Sequence, residues 1–385
     1  MKRSTLCAGI MLLGATGFST PVPAETVSFD MPSDDRWNYP FNFTPGSRPI
    51  ASCFGAAGTP SFNDRDGEMI VAWDTISKIP PSQGTDHYGI RFVRITLTNV
   101  KDATWPIDLS ADDWFTCDLN QDNVINADGI PRGQPGDSDG ESSDADSGRP
   151  IELFGAGFGP FYTLQSWDES SLYIGAAGDG DAPRDPFPFV FLENGPERLH
   201  VEDNVKGLWN EGLNVLQFTP PPWAIGVPLN YSPGQQAVPF DVIFDVDLGL
   251  SGGQVRRYFQ EQLDAGRVAV IVTSLREAAM QSAQSGYPSF FTKEGLSLDP
   301  GAKAPQLTIG ICQAVAPDFD RDCDVDADDL AILSGCLTGP AIALLSPSCA
   351  EADFDGDGDV DQSDFGVWQR CFSGSGNAPL PGCDQ

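Results

Sequence analysis

Basic residues are scarce in this sequence. Only 22 Lys and Arg stand against 55 Asp and Glu, a formal net charge of -33 over 385 residues. A chain this acidic repels phosphate backbones and anionic lipid surfaces, which excludes nucleic acid and such membranes as partners. Histidine is almost missing: His87 and His200 are the two copies, and neither has the H-E-x-x-H or any other metal-ligand spacing. Ser-His-Asp chemistry lacks a nucleophile elbow on a strand-to-helix turn. No glycine-rich phosphate loop follows a strand, and "FGAGFGPF" (Phe154 to Phe161) reads as a turn between strands. Long apolar runs are lacking too. The run from Leu6 to about Phe18 is too short for a membrane span. It follows Lys2 and Arg3 and precedes Val22-Pro23-Ala24, so residues 1–24 read as a secretory signal peptide cut after Ala24. The expected product is a secreted, soluble chain with no membrane span.

Glycine and proline are abundant, 41 and 32 copies, which favours short strands and many turns over long helices. Between residues 25 and 310, "EMIVAWDTI", "IRFVRITLTNV", "SLYIGAA", "FPFVFLE", "PFDVIFDVDLGL", "RVAVIVTSL" and "APQLTIGI" are short and apolar or alternating, as strands are. Only "GGQVRRYFQEQLDAG" looks helical, with Val255, Tyr258, Phe259 and Leu263 on one face. The predicted fold is mainly β: an antiparallel β-sandwich, jelly-roll-like, over 25–310, with an acidic insertion at 117–148.

The C-terminal part, 311–385, carries a repeat. "DFDRDCDVDADDLAILSGCLTG" starts at Asp318, and "DFDGDGDVDQSDFGVWQRCFSG" starts 35 residues later at Asp353. Self-similarity at such a period marks one structural unit used twice. So many like charges repel unless something neutralises them. Calcium takes about six to eight hard oxygens, which a loop of about twelve residues offers from positions 1, 3, 5, 7, 9 and 12. In the first loop these are Asp318, Asp320, Asp322, the Asp324 carbonyl, Asp326 and Asp329; in the second, Asp353, Asp355, Asp357, the Asp359 carbonyl, Asp361 and Asp364. Position 6 demands a sharp turn. Gly358 suits it, whereas Cys323 brings backbone strain. After each loop, Leu330, Leu333, Leu337 and Phe365, Trp368, Phe372 recur at helical spacing, and no helical stretch precedes either loop.

A calcium loop followed by one helix, duplicated, resembles the type I dockerin module over roughly residues 316 to 376. That resemblance implies a small α module with two EF-hand-type calcium loops, Ca2+ as the cofactor, and a cohesin-like or cell-surface protein as partner. Dockerins meet cohesins through loop positions 10 and 11; here these hold Ala327-Asp328 and Gln362-Ser363, unlike the Ser-Thr common in the family. The cysteines are a second departure. Cys7 leaves with the signal, and six of the remaining eight lie in the last 74 residues, as suits disulfides in an exported chain. Cys336–Cys349 and Cys371–Cys383 read as equivalent staples after each helix, Cys312–Cys323 as a tie that offsets the strain at Cys323, and Cys53–Cys117 as a staple of the large domain.

Phrases of the large region, "MIVAWDTISKIP", "QSWDES" and "KAPQLTI", resemble secreted β-sandwich modules named after a DNRLRE signature, relatives of carbohydrate-binding modules. Within the insertion, Asp118, Asn120, Asp122 and the Val124 carbonyl occupy loop positions 1, 3, 5 and 7 of a candidate third calcium site, although Gly129 replaces the closing carboxylate. Trp37, Trp73, Trp105, Trp114, Trp167, Trp209 and Trp223 either fill the core or stack on sugar rings. No catalytic residue stands out; Glu169, Glu193 and Glu202 lie near aromatics without pairing. The expectation is a secreted, noncatalytic calcium-binding protein whose sandwich meets an extracellular polysaccharide. The alternatives are a dockerin-bearing glycoside hydrolase and a cell-surface structural protein.

Overall fold

The structure is a computed structural model. It describes residues 25–56, 67–100, 108–111, 150–174, 184–191, 195–201, 208–210, 215–218, 221–229, 239–274, 277–278, 286–344, 346–380 and 382–385. The described chain falls into two compact units. One holds residues from 24–314 together with 320–323, and the other holds 315–319 together with 324–385.

The larger unit is mainly β. One sheet runs in the order Glu25–Phe29, Gln306–Gln313, Tyr88–Asn99, Phe240–Asp245, Val227–Pro228, and Ser289–Phe291 pairs both Tyr88–Asn99 and Ile50–Ser52. The other runs Asp34–Asn38, Glu68–Asp74, Arg267–Ser274, Ile151–Gly157, Phe187–Phe191, Arg198–His200, with Ala224–Ile225 on Ile151–Gly157. Pairing within both is antiparallel. Alternation assigns the faces. Val93, Ile95 and Leu97 of the first sheet share one apolar cluster with Met69, Val71, Trp73, Val268, Val270 and Val272 of the second. Each such aliphatic side chain contributes roughly 1.5–3 kcal/mol when fully buried.

The outward face of the first sheet carries Arg91 and Arg94 in water, whereas the inner strands of the second sheet, Glu68–Asp74, Arg267–Ser274 and Ile151–Gly157, are buried on both faces. Its other face packs Ile70, Ala72, Ala156, Ala269 and Ile271 against Trp167. That is why "MIVAW" and "RVAVIV" are continuous apolar runs and not alternating ones.

The helical stretch is α1, Leu250–Asp264. Ser251, Gly252 and Gly253 have left-handed backbone, so regular helix starts only after them. Val255, Tyr258, Phe259 and Leu263 enter the shared cluster as expected. The Tyr258 hydroxyl donates to the Ala269 carbonyl at 2.7 Å and accepts from the Ala156 amide at 3.0 Å, pinning the helix to two strands.

Three expectations change. "FGAGFGPF" begins inside the buried strand Ile151–Gly157 instead of forming a turn. Its glycines make room for rings: a Cβ on Gly155 would lie 2.3 Å from Trp223 and 2.5 Å from Phe189. "SLYIGAA" contributes only a single bridge, Ile174 to Asp185, among the described residues. Cys53, expected to pair with Cys117, is a free buried thiol whose Sγ donates to the Val272 carbonyl at 3.4 Å, and burial holds its acidity down. Cys117 lies outside the described residues, as do residues 1–24 and 112–149, the whole 117–148 insertion among them.

The smaller unit has two short helices, α2 (Ala327–Cys336) and α3 (Gln362–Cys371). Both stop before the last apolar residue of their pattern, so Leu337 and Phe372 are caps with about half their surface exposed. A 3₁₀ segment, Pro347–Ala352, precedes the second loop, where no helical turn was expected. Val325, Val360, Leu333, Trp368 and Ala352 form the core, with Phe319 against Phe354 at 5.7 Å. Cys336–Cys349 and Cys371–Cys383 are disulfides.

Candidate metal centre

The two acidic loops follow one backbone programme. Positions 4 and 6 are left-handed in both: Arg321 (φ 60°) and Cys323 (φ 76°) in the first, Gly356 (φ 74°) and Gly358 (φ 93°) in the second. Glycine takes that conformation freely, while a side chain there costs about 1–2 kcal/mol. Cys323 is held by its disulfide to Cys312, across a Cα separation of 5.8 Å. The strain at Cys323 was legible in the sequence. That at Arg321 went unread, although Gly356 at position 4 of the sister loop was the signal for it.

Carboxylates tie each loop to its helix. Asp326 and Asp361, at position 9, cap α2 and α3 by accepting from the Asp328 and Ser363 amides at 2.9 and 2.7 Å. Asp329 and Asp364, at position 12, return the capping box, accepting from the Asp326 and Asp361 amides at 2.9 and 2.8 Å. The same two carboxylates reach back to the loop's second residue, taking the Phe319 and Phe354 amides at 2.7 and 2.6 Å. In the second loop Asp353 accepts from the Gly356, Asp357 and Gly358 amides at 2.8, 3.1 and 2.9 Å.

These bonds leave the carboxylates crowded. One oxygen each of Asp318, Asp320 and Asp322 lie within 4.8 Å of one another, and so do those of Asp324, Asp326 and Asp329. In the second loop the groups are Asp353, Asp355, Asp364 and Asp359, Asp361, Asp364, which share Asp364; Asp357 joins neither. Asp318 and Asp364 are fully buried and Asp329 nearly so. Desolvation first, and then the charges of Asp357, Asp364 and Asp353, raise the Asp355 carboxyl above the usual carboxylate range. Donor chemistry and spacing fit a hard divalent cation. All donors are oxygen, and ligands about 2.3–2.6 Å from a calcium ion lie up to about 5 Å apart.

The side chain at position 7 does a different job. Asp359 Oδ2 accepts from the Ala341 amide at 2.5 Å, in the segment after α2, while Asp324 Oδ2 accepts from the Gly376 amide at 2.5 Å, after α3. Position 8 repeats the exchange. Val360 N donates to Thr338 Oγ1 at 3.0 Å and Val325 N to Ser373 Oγ at 2.9 Å, while the Thr338 and Ser373 amides donate back to the Val360 and Val325 carbonyls. Each loop is braced by the chain leaving the other half's helix. The repeat had hinted at duplication, but not at this exchange.

Other candidates fare differently. Asp118, Asn120, Asp122 and Val124, the third loop, lie outside the described residues, as do Glu193, Glu202, Trp105 and Trp114. Trp73, Trp167 and Trp223 are buried, so among described residues these indoles serve the core. Glu169 belongs to an acidic group that sequence reasoning missed: one oxygen each of Asp35, Glu169 and Glu294 lie within 4.8 Å of one another. Burial pushes the Asp35 carboxyl up to about 7. These three are so distant in sequence that no motif links them.

No family model matches the chain, and no curated protein sequence matches it. No described helix is long and apolar enough to cross a membrane.

Proposed function

We propose that this is an exported, noncatalytic calcium-binding protein. Its C-terminal repeat is a dockerin-like attachment module ordered by Ca2+, and its larger unit is a jelly-roll-type sandwich that meets an extracellular polysaccharide. The observation that carries the calcium reading is the recurrence, in both loops, of one left-handed backbone pattern with clustered carboxylates, of which those at positions 7 and 12 are buried in each loop. Crowded like charges that include buried members are destabilising unless neutralised, and metal binding energy then becomes folding energy. The shared core between two antiparallel sheets supports the sandwich. Three disulfides fit export to an oxidising compartment.

The test is calorimetry of Ca2+ uptake by the full chain, paired with circular dichroism with and without chelator. Asp318→Ala with Asp353→Ala should abolish the loops' heat of binding and the calcium-dependent helix signal. An unchanged heat, or a spectrum indifferent to chelator, would refute the calcium reading. Glycan-array binding by the same chain, with released oligosaccharide monitored, addresses the sandwich: binding without turnover supports it, and turnover favours the hydrolase.

A further inference from the structure

The acidic group in the larger unit is built from three separate places in the fold. Asp35 lies on strand Asp34–Asn38, Glu169 in the loop after Trp167, and Glu294 in the 3₁₀ turn Lys293–Gly295. Asp35 is 1% exposed. Its Oδ2 accepts from the Lys293 amide at 2.9 Å, while its Oδ1 is buried with no hydrogen-bond partner. Glu294 Oε2 is likewise buried and unpartnered. Such an oxygen loses its water without gaining a partner, a cost that is larger when it is charged, so a buried carboxylate with an idle oxygen points to a ligand.

The surroundings hold the group in place. The Glu169 amide donates to Asp34 Oδ1 at 3.3 Å, and Lys293 Nζ lies 2.5 Å from Glu169 Oε2. Lys293 Nζ also donates to the Ser33 carbonyl. Gly46, at φ +72°, backs onto Glu169: a Cβ there would lie 3.2 Å from Glu169 Cγ. One ammonium against three carboxylates leaves two negative charges when all are ionised. A divalent ion cancels that remainder, and Asp35 is too buried for a sugar ring to reach.

We infer that Asp35, Glu169 and Glu294 bind one calcium ion inside the larger unit, independently of the C-terminal loops. The donor set is all carboxylate oxygen, which selects a hard cation over zinc or copper. Asp35 supplies the buried side of the shell, and water completes it from the side of the half-buried Glu169 and Glu294.

Counting Ca2+ bound per full chain by equilibrium dialysis tests this. The parent is the variant with Asp318→Ala and Asp353→Ala, so that loss of the loops and loss of this site are read separately. Adding Asp35→Asn or Glu294→Gln should each remove one ion per chain, or weaken its affinity by at least about tenfold. Glu294→Gln, on a half-buried turn, decides the matter if Asp35→Asn does not fold. An unchanged ion count and affinity would overturn the proposal and leave Lys293 as the cation that serves the group among the described residues.

Discussion

Cys323 occupies a backbone position that glycine fills in the sister loop. Its disulfide to Cys312 compensates a conformation that the side chain resists. Cys312→Ser alone leaves the strained residue without its tie. Combining it with Cys323→Gly should recover about 1 kcal/mol in denaturant unfolding; a double variant no more stable than the single one would show that the φ carries no cost. His200 offers a second residue-scale test. Burial first, and then the positive charge of Arg184, lower its pKa from 6.5 to about 3. The folded protein therefore keeps it neutral, while the unfolded chain takes up a proton below about 6.5. Stability from this residue is present above that pH and is lost as pH falls toward 3. The gap in thermal stability between wild type and His200→Gln should shrink over that window, and a gap constant with pH would contradict the assignment.

The elements show where sequence reading succeeds. Both acidic loops were legible because their carboxylates lie within a dozen residues of one another and recur. The strands were legible as apolar runs, but their faces were not: Ile70 and Val71 look alike in sequence and belong to different clusters. Ile151–Gly157 was misread because Gly155 and Gly157 signal punctuation locally, whereas here they clear space for aromatic rings. The exchange between the two halves depends on Thr338 and Ser373, equivalent positions of the repeat whose small hydroxyl side chains carry no ligand signature. Thr338→Val and Ser373→Ala each strip the acceptor from one amide. Each should lower the module's stability by about 1 kcal/mol, and by similar amounts, in calcium-saturated urea unfolding. A large effect in one half only would break the equivalence.

At the scale of the whole molecule, the charge of -33 is the dominant fact. Self-repulsion of this size opposes compaction and is screened by salt over a distance of about 10 Å at 0.1 M. In chelator, raising sodium chloride from low to physiological concentration should therefore raise the melting temperature. With saturating calcium the same increment should do less if the ion fills the loops as proposed, because the densest charges are then neutralised. Equal salt sensitivity in both conditions would show that the ions leave the repulsion untouched.

The exchange of anchors between the two halves has a consequence for how the module responds to its ion. Neither loop owns all the contacts that shape it, so an ion bound in one, as proposed, would rigidify the framework that the second requires. On the proposed reading, uptake by the pair should be cooperative, with a Hill slope above unity in a calcium titration, and the module should respond over a narrow range of calcium instead of filling in two gradual stages.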